Sequence, residues 1–295
     1  MKMPTIITFY LFVVCGALHA QTVPTPLVGV KVITNITVNA SGFYNYQYSI
    51  SNPATNSSSL YSIDIFLAQD PTSDVSLTTT GLNHCSAYFK TNSENILKTQ
   101  TVTAVGSSSP QHWNCGYGKL ASFSDNSYGW GARQQSSQIS PGVTQSGFLL
   151  TSYGPPSIRD ILVRPWIDVD LLPAEYSSNV QKTVALQTSV QWLGKTVGPK
   201  APPKTFSASD FINYLISIKE QSVSLGWIKN QGVANSLGAK LNDVKKKITS
   251  GDNKTAKNVL GAFQNEVQAQ NGKQLTSEAY ALLYFNAKYL IDHLN

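Results

Sequence analysis

Three groups of side chains in this chain could do chemistry. The carboxylates Asp160, Asp168 and Asp170, followed by Glu175, form the first. On one strand, Asp168 and Asp170 would share a face, because side chains alternate with a period of two. Paired carboxylates can cleave a glycosidic bond or hold calcium. No glycine-bearing calcium loop accompanies them, and two acids so spaced also make an ordinary solvated strand end. The second group is Cys85 and Cys115, with His84 beside one cysteine and His112 three residues before the other. Both residue types bind zinc. On a strand, however, His84 and Cys85 would point to opposite faces. A Cys85–Cys115 disulfide is therefore expected in an oxidising compartment, and no metal. Its loop would contribute about 3–4 kcal/mol in the chain-entropy picture. The third group is aromatic: Trp113, Tyr117, Tyr128, Trp130 and Tyr153 fall in or beside glycine-containing turns. Exposed rings there could stack on the apolar face of a ligand or anchor a protein partner. The competing expectation is ordinary sandwich core, where a buried tryptophan is typical. Trp166, between Ile161 and Ile167, is expected in packing between sheets.

The signatures of common enzymes are missing. There is no G-x-S-x-G elbow, no H-E-x-x-H, no Walker loop and no G-x-G-x-x-G after a strand. Beyond residue 20 only His84, His112 and His293 remain as imidazole bases, which leaves few ways to build a Ser-His-Asp arrangement. No catalytic residue and no cofactor is predicted.

The elements that would position these groups fall into two kinds. Residues 21–197 read as an all-β, Ig-like antiparallel sandwich. Tyr44, Tyr46, Tyr48 and Ile50 alternate with polar Asn45, Gln47 and Ser49, the mark of a half-buried strand. Ile63, Ile65 and Leu67 repeat the pattern. Further strands are expected at 86–90, 96–105, 120–123, 147–153, 160–168 and 182–192. The segment 198–206, GPKAPPKTF, reads as an extended proline-rich linker. Residues 207–295 change to the helical period and read as an all-α bundle of three to four helices. Ser209-Asp210 is the expected first cap. Leu237, Leu241 and Val244 mark the second helix, Leu260, Phe263 and Val267 the third, and Thr276 caps the fourth.

The stretch from Gly226 onward also resembles a known family. Gly232-Val233-Ala234-Asn235-Ser236-Leu237, Lys240-Leu241, Gly251-Asp252, Ala256 and Ala262-Phe263 through Val267 come first. Gly272-Lys273-Gln274-Leu275-Thr276 and Glu278-Ala279 follow in the same order. Together they resemble the FIMAH domain, a helical module near the C-terminus of many secreted bacterial multidomain proteins. The resemblance implies a small bundle with no known cofactor and no assigned catalytic residue.

Composition limits the remaining classes. The 295 residues are 41% hydrophobic but only 13% charged, against about 25% in an average soluble domain. That leaves enough apolar content for real cores. Lys2, the apolar stretch from Ile6 to Ala17 and the small residue ending Leu18-His19-Ala20 predict a signal peptide over residues 1–20. No apolar run of ~20 residues follows, so no transmembrane segment is expected in the mature chain. The net charge of +6 is uneven. Residues 21–200 hold ten Lys and Arg against nine acids, whereas 201–295 hold eleven lysines against seven acids and no arginine. Lys245, Lys246 and Lys247 suit a solvated helix end. Without interleaved arginines, nucleic acid is not an expected partner. The expectation is a secreted or periplasmic, non-enzymatic protein that binds an extracellular protein or glycan. The alternatives are a glycan-acting hydrolase using Asp160, Asp168 and Asp170, and a structural envelope component.

Overall fold

The computed structural model describes residues 23–67, 76–77, 103–119 and 126–294. The signal segment, His84 and Cys85 lie outside the described residues, as do the strands expected at 86–90 and 120–123.

Among the described residues, ten strands form two five-stranded layers. One layer contains β1 (Lys31–Val38), β2 (Tyr44–Ser51), β8 (Thr144–Ser152), β5 (Thr103–Ser108) and β4 (Ser76–Leu77), in that spatial order. The other runs β10 (Trp192–Pro199), β9 (Pro156–Pro165), β3 (Leu60–Phe66), β7 (Asn126–Ala132) and β6 (Trp113–Lys119). All pairings are antiparallel except the short β4–β5 contact. The chain is a β-sandwich followed by a helical bundle.

The alternating tyrosines place the first layer. Tyr46, Tyr48 and Ile50 are buried, while Gln47 between them is exposed. Their rings cross the sandwich: Tyr48 lies 5.6 Å from Trp130 between centroids, and Phe148 lies 5.7 Å from Trp130 and 4.9 Å from Trp113. Burying a tyrosine hydroxyl requires a partner. Tyr46 donates to the Gly154 carbonyl at 2.6 Å and Tyr48 to the Val197 carbonyl at 3.0 Å. Burial pushes both phenols well above the ordinary tyrosine range.

Several expectations need correction. Residues 182–192 are not a strand. After the short α1 (Ala174–Ser177), α2 (Val180–Val190) begins at Asn179, whose side chain accepts from the Lys182 N–H. Leu186 and Val190, four residues apart, are buried, whereas Val184, which a strand would place on the same face, is 47% exposed. The strand expected over 160–168 instead spans Pro156–Pro165. Trp166 follows it, is 42% exposed, and packs edge-on against Tyr61 rather than between the sheets. β10 was not foreseen as a strand of its own. It runs from Trp192 to Pro199, so the expected linker begins inside a paired strand, with Gly198 opposite Ser157 and Pro199 opposite Pro156.

The bundle contains α3 (Ala208–Ser224), α4 (Gln231–Thr249), α5 (Asn253–Gln270) and α6 (Ser277–His293). Ser207, not Ser209-Asp210, caps α3 by accepting from the Asp210 N–H. Asn230, Asp252 and Thr276 cap the other three. Leu237, Leu241, Val244, Leu260, Phe263 and Val267 are fully buried, as their spacing requires. Lys245 and Lys246 are exposed at the C-terminal end of α4.

The two halves touch. α6 packs on β1, β9 and β10, and the hydrophobic core is continuous from the sandwich into the bundle. Asn286 donates to the Pro156 carbonyl at 2.8 Å, and the Tyr214 and Ser157 hydroxyls meet at 3.1 Å. Tyr44 and Phe285 meet edge-to-face at 5.6 Å. Burial, then the negative charge of Asp292 and the neighbouring Tyr289, pushes the Tyr44 phenol up to about 12. Among the described residues, no helix is long and apolar enough to cross a membrane.

Candidate functional site

The candidate groups read from sequence do not converge. Asp160 points from the middle of β9 and pairs with Lys195 on β10 at 2.6 Å. Asp168 lies past the end of the strand, where its carboxylate accepts the Asp170 N–H at 3.1 Å and caps a single 3-10 turn over Val169–Leu171. From Asp160 to Pro165 alone the chain covers roughly 16 Å at strand rise, so Asp160 does not share a site with the other two. Asp168 and Asp170 do not share a strand face either, because the backbone turns between them. Glu175 makes only a 3.8 Å contact with Lys182.

The aromatic candidates divide. Trp113, Tyr128 and Trp130 are 3%, 0% and 2% exposed, respectively, and belong to the sandwich core. They offer no ring face to a ligand. Tyr117 pairs in register with Tyr128 across the β6–β7 ladder. Tyr153 is exposed and rests on Phe43, with centroids 3.9 Å apart. Cys115 is buried on β6 opposite Trp130. His112 occupies the β5–β6 turn at a φ of 62° and is exposed. His293 is held by Tyr289, stacked at 4.0 Å and hydrogen-bonded to its carbonyl, which occupies the imidazole structurally. Among the described residues, no cluster of three His, Cys, Asp or Glu could hold a metal ion.

A different set of residues forms a site. An open groove of about 650 Å3 lies where β1 and β10 meet the loops of the bundle. The sandwich contributes Lys31, Trp192 and Lys195, and the bundle contributes Trp227, Lys229 and Glu278. The floor on the sandwich side depends on Gly194. A Cβ there would fall 2.1 Å from Cη2 and 2.5 Å from Cζ2 of Trp192. The indole of Trp192 therefore lies across bare backbone two residues along the same strand face, which only glycine permits. Trp227 is set by the end of α3. Gly226 takes a left-handed φ of 71°, its N–H donates to the Val223 carbonyl, and the Trp227 N–H donates to Ser222. This is a Schellman stop, which turns the chain sharply and projects the following residue. Loop residues 227–229 then pair with 274–276. The Lys229 N–H donates to the Gln274 carbonyl and the Thr276 N–H to the Trp227 carbonyl, both at 2.9 Å. Two loops thus brace each other behind Trp227 and Lys229.

Charge in the groove is one-sided. Glu278 is its acid, but it is buried and turned inward, accepting the Thr34 N–H at 2.7 Å. β1 is an edge strand, and an unmatched buried N–H there would be costly. Glu278 removes that cost and ties α6 to the sandwich. Next to it, the Thr34 and Thr196 hydroxyls meet at 2.8 Å and join the two layers. Lys195 is paired with Asp160, whereas Lys31 and Lys229 are exposed and make no ion pair with any described residue.

The bundle side of this groove can be placed in a family. Residues 212–292 match the FIMAH domain. The match begins within α3 and ends within α6, so Trp227, Lys229 and Glu278 belong to the FIMAH module, while Lys31, Trp192 and Lys195 do not. No curated protein and no solved structure matched the chain. Sequence reading missed the groove because its residues are distant in the chain and make no motif. The one local signal was Trp192-Leu193-Gly194: on a strand, a glycine two residues after a tryptophan leaves room for the ring to lie flat.

Proposed function

We propose that this chain is an exported, non-enzymatic binding protein that holds an extracellular protein or glycan in the groove between its sandwich and its FIMAH module. The observation that carries this reading is the convergence of two tryptophans and three lysines from both halves on one open groove. Aromatic anchors with a polar rim are the usual composition of a binding surface. Export is supported by the N-terminal pattern of Lys2, the apolar stretch and Ala20, with cleavage after Ala20. In the secreted or periplasmic space Cys85 and Cys115 would pair as a disulfide. A non-catalytic role is supported by the separate engagement of Asp160 and Asp168.

An array of glycans and extracellular proteins, probed with the full chain and with a Trp192→Ala/Trp227→Ala variant, tests the reading. Specific signals that vanish in the variant support it. Signals that survive place binding elsewhere, and no signal at all rejects a binding role.

A further inference from the structure

We infer that the groove's ligand is an acidic saccharide: a short chain of pyranose rings carrying carboxylate or sulfate groups, held jointly by the sandwich and the FIMAH module. This rests on the groove reading above and adds the ligand class.

The aromatic residues argue for sugar rings. Trp192 and Trp227 line the groove from opposite modules, and both are only partly buried. The C–H faces of a pyranose are apolar and slightly positive, so they stack on the negative face of an indole. Trp192 is already flattened against Gly194, so no ordering cost remains for presenting its ring. Trp227 is fixed by the Schellman stop and the paired loops.

The lysines argue for an anion. Lys31 and Lys229 carry charges unmatched within the described structure, and the acid lining the groove is spent on the Thr34 N–H. A neutral glycan would leave both charges unused. A nucleic acid would also be anionic and stackable, but the groove offers no arginine, whose planar fork recognises phosphate in two-point contacts. The volume of about 650 Å3 fits the range of roughly 300–1,000 Å3 typical of small-ligand sites, and the groove is open enough for a chain to pass through.

The experiment is a titration of the full chain, followed by calorimetry and tryptophan emission. The probes are an oligogalacturonate, a heparin-derived oligosaccharide, a neutral cello-oligosaccharide of equal length and an oligothymidylate. At least one acidic saccharide is expected to bind tenfold or more tightly than the neutral one, with a change in tryptophan emission. Affinity should fall as salt rises. Trp227→Ala and Lys229→Gln should each weaken binding about tenfold, while Lys246→Gln on the far helix end leaves it unchanged. Lys229 is exposed, so its variant keeps the test valid if Trp227→Ala fails to fold. Equal binding of the neutral saccharide overturns the acidic class and leaves the groove intact. Tighter binding of oligothymidylate overturns it in favour of nucleic acid. If no saccharide binds while a protein hit on the array still depends on Trp192 and Trp227, the saccharide inference falls and the binding reading stands. If the array is also silent, both fall.

Discussion

In the sandwich, Trp130 on β7 meets Tyr48 on β2 and Phe148 on β8, contacts that join strands far apart in sequence. In the bundle the corresponding positions are Leu237, Leu241, Leu260 and Val267, on helices that follow one another through short turns. One core is aromatic and assembled from distant segments; the other is mainly aliphatic and local. The FIMAH match covers only the local one. A helical hairpin with caps and stripes carries its instructions within a few turns, so its pattern stays visible when the partner domain differs. A sandwich spreads the same information over a hundred residues.

If the continuous core makes the two regions one cooperative unit, damage to either should be felt by both. Trp130→Ala should be the most harmful change, costing about 3–5 kcal/mol, because the bulky ring fills the space between the layers. Chemical unfolding should show loss of helix at the same lowered midpoint, whereas helix that survives to the original midpoint would separate the regions. Leu260→Ala in α5 should cost about 2–5 kcal/mol through its cavity and lower the tryptophan-monitored transition with the helical one. Glu278→Ala, which orphans the buried Thr34 N–H, should cost about 1–3 kcal/mol and split the transition into sandwich and bundle steps. Persistence of one sharp transition in this variant would show that the apolar contact alone couples the halves.

The smallest effect concerns pH and the sandwich alone. Asp64 on β3 is buried, and burial holds its carboxyl above the ordinary 3.8 despite Arg164 at 3.4 Å and hydrogen bonds from Ser62 and Ser127. The native state therefore keeps a proton that the unfolded chain releases. Its stabilising contribution is complete below the unfolded value and is lost as pH rises through the folded one. Thermal melts from acid to neutral pH should show wild-type stability falling relative to Asp64→Asn across that window. A constant difference would mean that Arg164 fully compensates the buried charge.

The sequence by itself determined the split between β and α grammar, the alternating face of β2, the two apolar stripes of α4 and α5 and the Thr276 cap. Each is a periodic or nearest-neighbour property, and the period survives any tertiary context. It did not determine that Lys182–Trp192 divides into a helix and a strand. Leu186 and Val190 satisfy both periods, and only the exposure of Val184, which a strand would bury with them, selects the helix. Nor did it decide which tryptophans are free. Trp113 and Trp130 sit among glycines, as a turn would, yet end in the core, while Trp192 and Trp227 line a groove. Only the docking of α6 on β1, through Glu278 and Thr34, brings residues 31, 192 and 227 together. Such a site has no local spacing to read, because its distances are set by the packing of two modules and not by the step of any one strand or helix.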